Sequence, residues 1–122
     1  RDDRLVTGRG RHRRRGMVTA ELAVGVLVAV LVTMMGAWTV NLIAVEATCR
    51  DVATQVARQM ARGDEDAAAA AGRRAPSGAS VDVNRAGDEV RVLVRVDRSL
   101  GRIGPVRLAG TAVAVLEPGV SP

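Results

Sequence analysis

The side chains able to act as nucleophiles, bases or metal ligands are few in this 122-residue chain, and they do not cluster. The one histidine, His12, lies among arginines near the N-terminus, and the one cysteine, Cys49, stands alone. A Ser/His/Asp or Cys/His set would have to be built on His12, and a metal centre needs several donors at matched spacing. A single cysteine excludes an internal disulfide. The adjacent carboxylates Asp88 and Glu89 stand where a turn is expected and read as solvated charges. No glycine-rich phosphate cradle occurs. With one Trp and no Phe or Tyr, an aromatic-walled pocket and base-stacking on single-stranded nucleic acid both lack their residues. The chain is therefore expected not to be an enzyme, and to take no cofactor, no metal, no small-molecule substrate and no nucleic acid.

One stretch does carry chemistry: Arg13-Arg14-Arg15-Gly16-Met17-Val18-Thr19-Ala20-Glu21-Leu22. A basic leader ends in Gly, a Glu follows five residues later, and an apolar run begins at once. Gly lets another molecule approach the backbone closely. Glu21 is disfavoured if carried toward a bilayer interior, but gains from the positive end of a helix dipole in its first turns.

The net charge of +5 belongs wholly to this leader. Up to Gly16 there are seven Arg and two Asp; from Met17 onward eleven Arg balance eleven Asp and Glu. A basic arm for nucleic acid would look similar locally. Here the arm abuts an apolar segment, and positive residues before a membrane span are retained in the cytoplasm. The chain opens on Arg1 rather than Met, which leaves a translation start upstream open.

Residues 22–45 contain no charge, and Asn41 is their only strongly polar side chain. As a helix this run would reach about 36 Å, enough for a hydrocarbon core of about 30 Å. Its four Leu, one Ile and seven Val favour insertion by about 4 to 7 kcal/mol. A buried helix of a soluble domain is disfavoured, because so short a chain cannot cover it on all sides. A cleavable secretory signal remains a rival, although the run exceeds a typical h-region. The expected location is the plasma membrane, crossed once, with the N-terminus cytoplasmic and the C-terminus outside.

Beyond the run, Leu42, Val45, Cys49, Val52, Val56 and Met60 form one stripe of an amphipathic helix. Gly63 suits its stop. One helix is expected over 17–62, after a leader at 1–16. Asp64-Glu65-Asp66, five Ala and Arg73-Arg74 match the dipole of a short second helix, with a flexible linker over 63–79 as the alternative. A small β domain follows at 80–119. Strict alternation over Glu89 to Asp97 marks a half-buried strand. Val81 and Val83 belong to a strand before it, with a turn over Asn84 to Asp88. A third strand fits Val106 to Leu116, where Gly110 is expected to mark a bulge. The small residues of Thr111 to Val115 suit a face lying close under the amphipathic helix. Arg98 to Pro105, with two Gly and a Pro, reads as a loop. The fold class is α+β: a long helix, a short helix and a three-stranded antiparallel sheet.

The Gly16–Glu21 junction resembles a type IV prepilin processing site. With Cys49-Arg50-Asp51-Val52-Ala53, the stretch Ala57 to Glu65 and the ending Ala112 to Gly119, it resembles the actinobacterial TadE-like minor pilins of the Tad (Flp-type) pilus system. The resemblance covers almost the whole chain. It implies cutting after Gly16 by a prepilin peptidase, a new ammonium group on Met17, and a Glu21 that pairs with such an ammonium, its own or a neighbour's. It implies as partners membrane lipid, that peptidase, other Tad pilins and assembly-platform proteins. Met17 departs from the pattern as a bulky first mature residue. Read without the resemblance, Glu21 is equally an interfacial charge beside the Arg cluster, and the chain an unprocessed single-span anchor presenting a small binding domain.

Two weaker features remain. Gly25, Ala29, Thr33 and Ala37 continue from Glu21 at spacing four, a ridge on which transmembrane helices pack closely, though Ala and Gly are common enough here for chance. Cys49 falls in the apolar stripe, either as a small buried hydrophobe or as the thiol of an intermolecular disulfide.

Overall fold

The structure, a computed structural model, describes residues 10–120; residues 1–9 of the leader and the side chain of His12 lie outside what it describes. The elements run α1 (Gly10–Ala61), α2 (Glu65–Gly72), β1 (Ser80–Ala86), β2 (Glu89–Leu100) and β3 (Ile103–Val115). The class is α+β. Residues up to Thr39 form one unit and Val40–Pro122 a second.

In the first unit, α1 starts seven residues before the expected Met17, so the end of the leader is helical too. Arg is a good helix former, and nothing before Gly16 breaks the helix. From Met17 to Thr39 the apolar side chains are exposed almost without exception, with Val and Leu about half to two-thirds accessible. Hydroxyls in this stretch are satisfied within the helix: Thr33 donates to the Ala29 carbonyl (2.8 Å) and Thr39 to that of Met35 (2.9 Å). Such back-bonding satisfies the threonine hydroxyls on an otherwise apolar surface.

The second unit begins with the rest of α1. Its buried stripe is Cys49, Val52, Ala53, Val56, Ala57 and Ala61, with Leu42, Val45 and Met60 partly buried beside it. This is the expected stripe, widened by alanines that let the sheet approach. Gly63 ends the helix with φ 76°. Its N–H reaches the Met60 carbonyl (3.0 Å) and the Asp64 N–H reaches that of Gln59 (3.0 Å), the paired bonds of a Schellman motif. Asp64 then caps α2, its carboxylate accepting from the Ala67 N–H at 2.9 Å. Ala68 and Ala71 are buried in the common core, so residues 65–72 are a packed helix rather than a linker.

The sheet is a meander in the order β1-β2-β3. Val90, Val92, Val94 and Val96 of β2 point into the core. Their partners there are Val81 and Val83 on β1, and Leu108, Gly110, Ala112 and Ala114 on β3. The outer face carries charge pairs: Arg95 on Asp82 (2.7 Å), Arg107 on Asp97 (3.5 Å) and Arg91 on Glu89 (3.4 Å).

Three expectations about the sheet need correction. β1 continues to Ala86, leaving only Gly87 and Asp88 as the turn, with Gly87 at φ 62°. Residues 98–105 are not a loop: β2 and β3 stay paired to Leu100 and Ile103, closing on Gly101 (φ 55°) and Arg102. Two-residue turns with positive φ match the twist of paired strands. The register shift lies between Arg98 and Leu100, opposite Gly104 and Pro105, and not at Gly110. A bulge on an edge strand absorbs a Pro that cannot donate to the ladder.

Candidate functional site

The junction residues lie on one stretch of α1. Gly16 is exposed, and a Cβ added there would meet nothing within 4 Å. Met17 is 72% accessible and Glu21 is exposed. The Gly16 carbonyl, half of the Gly16–Met17 peptide, accepts a hydrogen bond from the Thr19 hydroxyl at 3.0 Å. The peptide bond is therefore open to approach from solvent, yet folded into a helical turn. A peptidase that binds extended backbone has to unwind that turn, and Gly, the weakest non-Pro helix former, makes this easier. The helix expected over 17–62 begins just past this peptide; the structure carries it back through Gly16 to Gly10.

Glu21 and the small residues Gly25, Ala29, Thr33 and Ala37 follow along the exposed helix. Gly25 has nothing within 4 Å of an added Cβ, so the ridge is uncovered within the chain. Over 16–61, α1 is long and apolar enough to cross a membrane, and the most apolar stretch has none of its surface buried by the rest of the chain.

Cys49 occupies the opposite kind of place. It is 0% exposed, in one core cluster with Val52, Val56 and the β2 valines. Burial pushes its thiol above the ordinary value; Arg98 opposes that rise and Glu46 adds to it. The group is held neutral, as befits a small hydrophobe. A disulfide to another chain requires the sheet to move off the helix first.

Gly110, expected to mark a bulge, is instead the point of closest approach between β3 and α1. A Cβ there would fall 2.3 Å from the Arg50 nitrogen and 2.5 Å from the Cys49 carbonyl carbon. Strand and helix backbones touch at this point, which is why no side chain fits. At the far end, the Glu117 N–H donates to the Ala61 carbonyl at 3.0 Å, and Arg62 pairs with Glu117 at 3.5 Å. Arg85 reaches Glu65 at 3.1 Å across a shallow apolar groove between α2 and β1, floored by Val56 and Val81. Among the described residues, no group of three His, Cys, Asp or Glu could hold a metal ion.

The apoptosis inhibitor Rv3655c of Mycobacterium tuberculosis is 36% identical over 101 residues, 82% of this chain and 78% of that protein. The chain belongs to the family of that protein. The alignment is too long to rest on the apolar helix alone, so the likeness extends beyond it. The relative's name speaks of apoptosis and says nothing about pili. No protein-family profile matches the chain, and no solved structure does.

Proposed function

We propose that this chain is a prepilin-like minor pilin or pseudopilin of the TadE-like kind, cut after Gly16 by a prepilin peptidase and acting in Tad (Flp-type) pilus assembly. The observation that carries this reading is the junction: an exposed Gly16 closing an Arg-rich leader, with Glu21 five residues on, at the head of an uncovered apolar helix. Leader arginines hold the N-terminus in the cytoplasm, α1 crosses the bilayer, and Val40–Pro122 carries the sheet outside. Once the leader is removed, the Met17 ammonium and Glu21 lie one helical turn apart. An unpaired carboxylate among apolar helices is strongly disfavoured, so this pair sets the register of neighbouring subunits. The ridge from Gly25 to Ala37 is the surface on which a partner pilin helix seats.

The test is intact-mass analysis of the membrane form, co-expressed with or without its prepilin peptidase. The expected result is loss of residues 1–16 only when the peptidase is present, and retention of the leader in Gly16→Ala. Normal maturation of Gly16→Ala would overturn the reading. A second reading, an unprocessed single-span anchor presenting its β domain to a binding partner, draws on the helical state of the Gly16–Met17 peptide. It predicts the full mass with and without the peptidase.

A further inference from the structure

The β2–β3 hairpin outruns β1. The ladder between β1 and β2 begins at Ser80 opposite Arg95, while β2 and β3 stay paired out to Leu100 and Ile103. This free end is apolar and basic. Leu100 is 42% and Ile103 63% exposed. From Arg98 to Arg107 the sequence holds no acid, and among the described residues Arg98 and Arg102 form no salt bridge.

Two contacts fix where this tip lies along the helix. Gly110 touches the backbone at Cys49 and Arg50, and Glu117 reaches the Ala61 carbonyl, so β3 and this part of α1 run in the same direction. The strand covers about 23 Å between those points while the helix rises about 16 Å, which gives their inclination. Carried back from Gly110 in the same direction, the strand brings its Ile103 end toward the Val40 end of this part of the helix. Leu42, Val45 and Val106 pack against the common core, so helix and hairpin stay together toward this end. Val40 to Val45 are the last turns of the charge-free run.

We propose that the β2–β3 tip is a bilayer-contact site: Leu100 and Ile103 enter the headgroup–acyl boundary of the membrane that α1 crosses, and Arg102 holds a lipid phosphate. The occupant is the phospholipid surface itself, because the tip is continuous with the apolar end of the helix and its charge complements phosphate. A hairpin seated this way adds a second lipid contact to the one that α1 makes. The proposal rests on the membrane-spanning part of the function proposed above.

Tryptophan fluorescence in vesicles tests both. Trp38 is the chain's one Trp and lies in the apolar run, so quenching of the unaltered chain by brominated lipid reports the span. In a Trp38→Leu background, Ile103→Trp reports the tip, and Val115→Trp, at the far end of the same strand, supplies the background. Vesicles are phosphatidylcholine with and without phosphatidylglycerol. The expected result is quenching at Ile103→Trp about threefold above that at Val115→Trp, reduced by Arg102→Gln in the anionic vesicles. Equal quenching at the two positions, with Trp38 quenched, overturns the bilayer contact and leaves the span standing. An unquenched Trp38 overturns the span and the contact together. A blue-shifted Ile103→Trp that brominated lipid does not quench assigns the tip to a protein partner and also overturns the proposal.

Discussion

The protonation of Cys49 is coupled to folding. Its folded value is raised by burial above the ordinary 9.0, so the folded chain keeps a proton that the unfolded chain releases. A raised thiol contributes stability that is fully present below the unfolded value and lost as pH rises through the folded one. The chain has no Lys and no Tyr, so no other side-chain type titrates between this thiol and arginine. For the full chain in detergent micelles, the urea midpoint is expected to fall once pH passes about 9. In Cys49→Ala that decline should vanish, although the variant is weaker throughout. An alkaline decline that survives the substitution would contradict the assignment. The position of Cys49 in the buried stripe was legible from spacing alone. Its complete enclosure was not, because that depends on Gly110, sixty residues away.

At the scale of elements, the close approach of α1 and β3 hangs on one missing side chain. Gly110→Ala would drive a methyl group into the Arg50 backbone, and backbone cannot swing aside as a flexible side chain does. The expected loss is about 3 kcal/mol, the upper end for overpacking. Gly104→Ala, with nothing within 4 Å, should lose under about 1 kcal/mol, and the two urea midpoints make the comparison. The sequence reading gave Gly110 a bulge because Gly inside a strand signals either a bulge or a close approach. Only the pairing of Val94 with Gly110 across an unbroken ladder separates those outcomes. The strands and both helices were legible from their periods and caps. The 98–105 segment was misread because Gly and Pro count against a strand, and a bulge that accommodates them leaves no local mark.

At the scale of the whole molecule, the chain divides its labour along α1. One unit exposes its apolar surface, and the other buries a core of valines and alanines under a sheet. If the exposed ridge seats a partner helix, bulky residues there should block it. Ala29→Leu with Thr33→Leu is expected to lower co-assembly by about tenfold in a crosslinking assay, while the span and the sheet stay intact. Undiminished crosslinking would remove the ridge from the account. The junction motif and the ridge are matters of residue type at fixed spacing, and the structure adds only their exposure. What the sequence could not display is that the Gly16–Met17 peptide sits inside a helix, because helix starts are set by weak local preferences.

The meander order has a kinetic consequence. Each strand pairs only with its sequence neighbour, through turns of two residues, so the hairpins can close locally and early as the chain emerges N-terminus first. The longest-range step is the docking of β3, through Gly110 and Glu117, onto a helix made about sixty residues sooner. Until that step, the valine face of the sheet is bare. The interval between synthesis of the β2 valines and the docking of Gly110 onto the helix is thus the window in which a nascent chain is open to capture by chaperones, by proteases, or by a neighbouring copy offering the same helix.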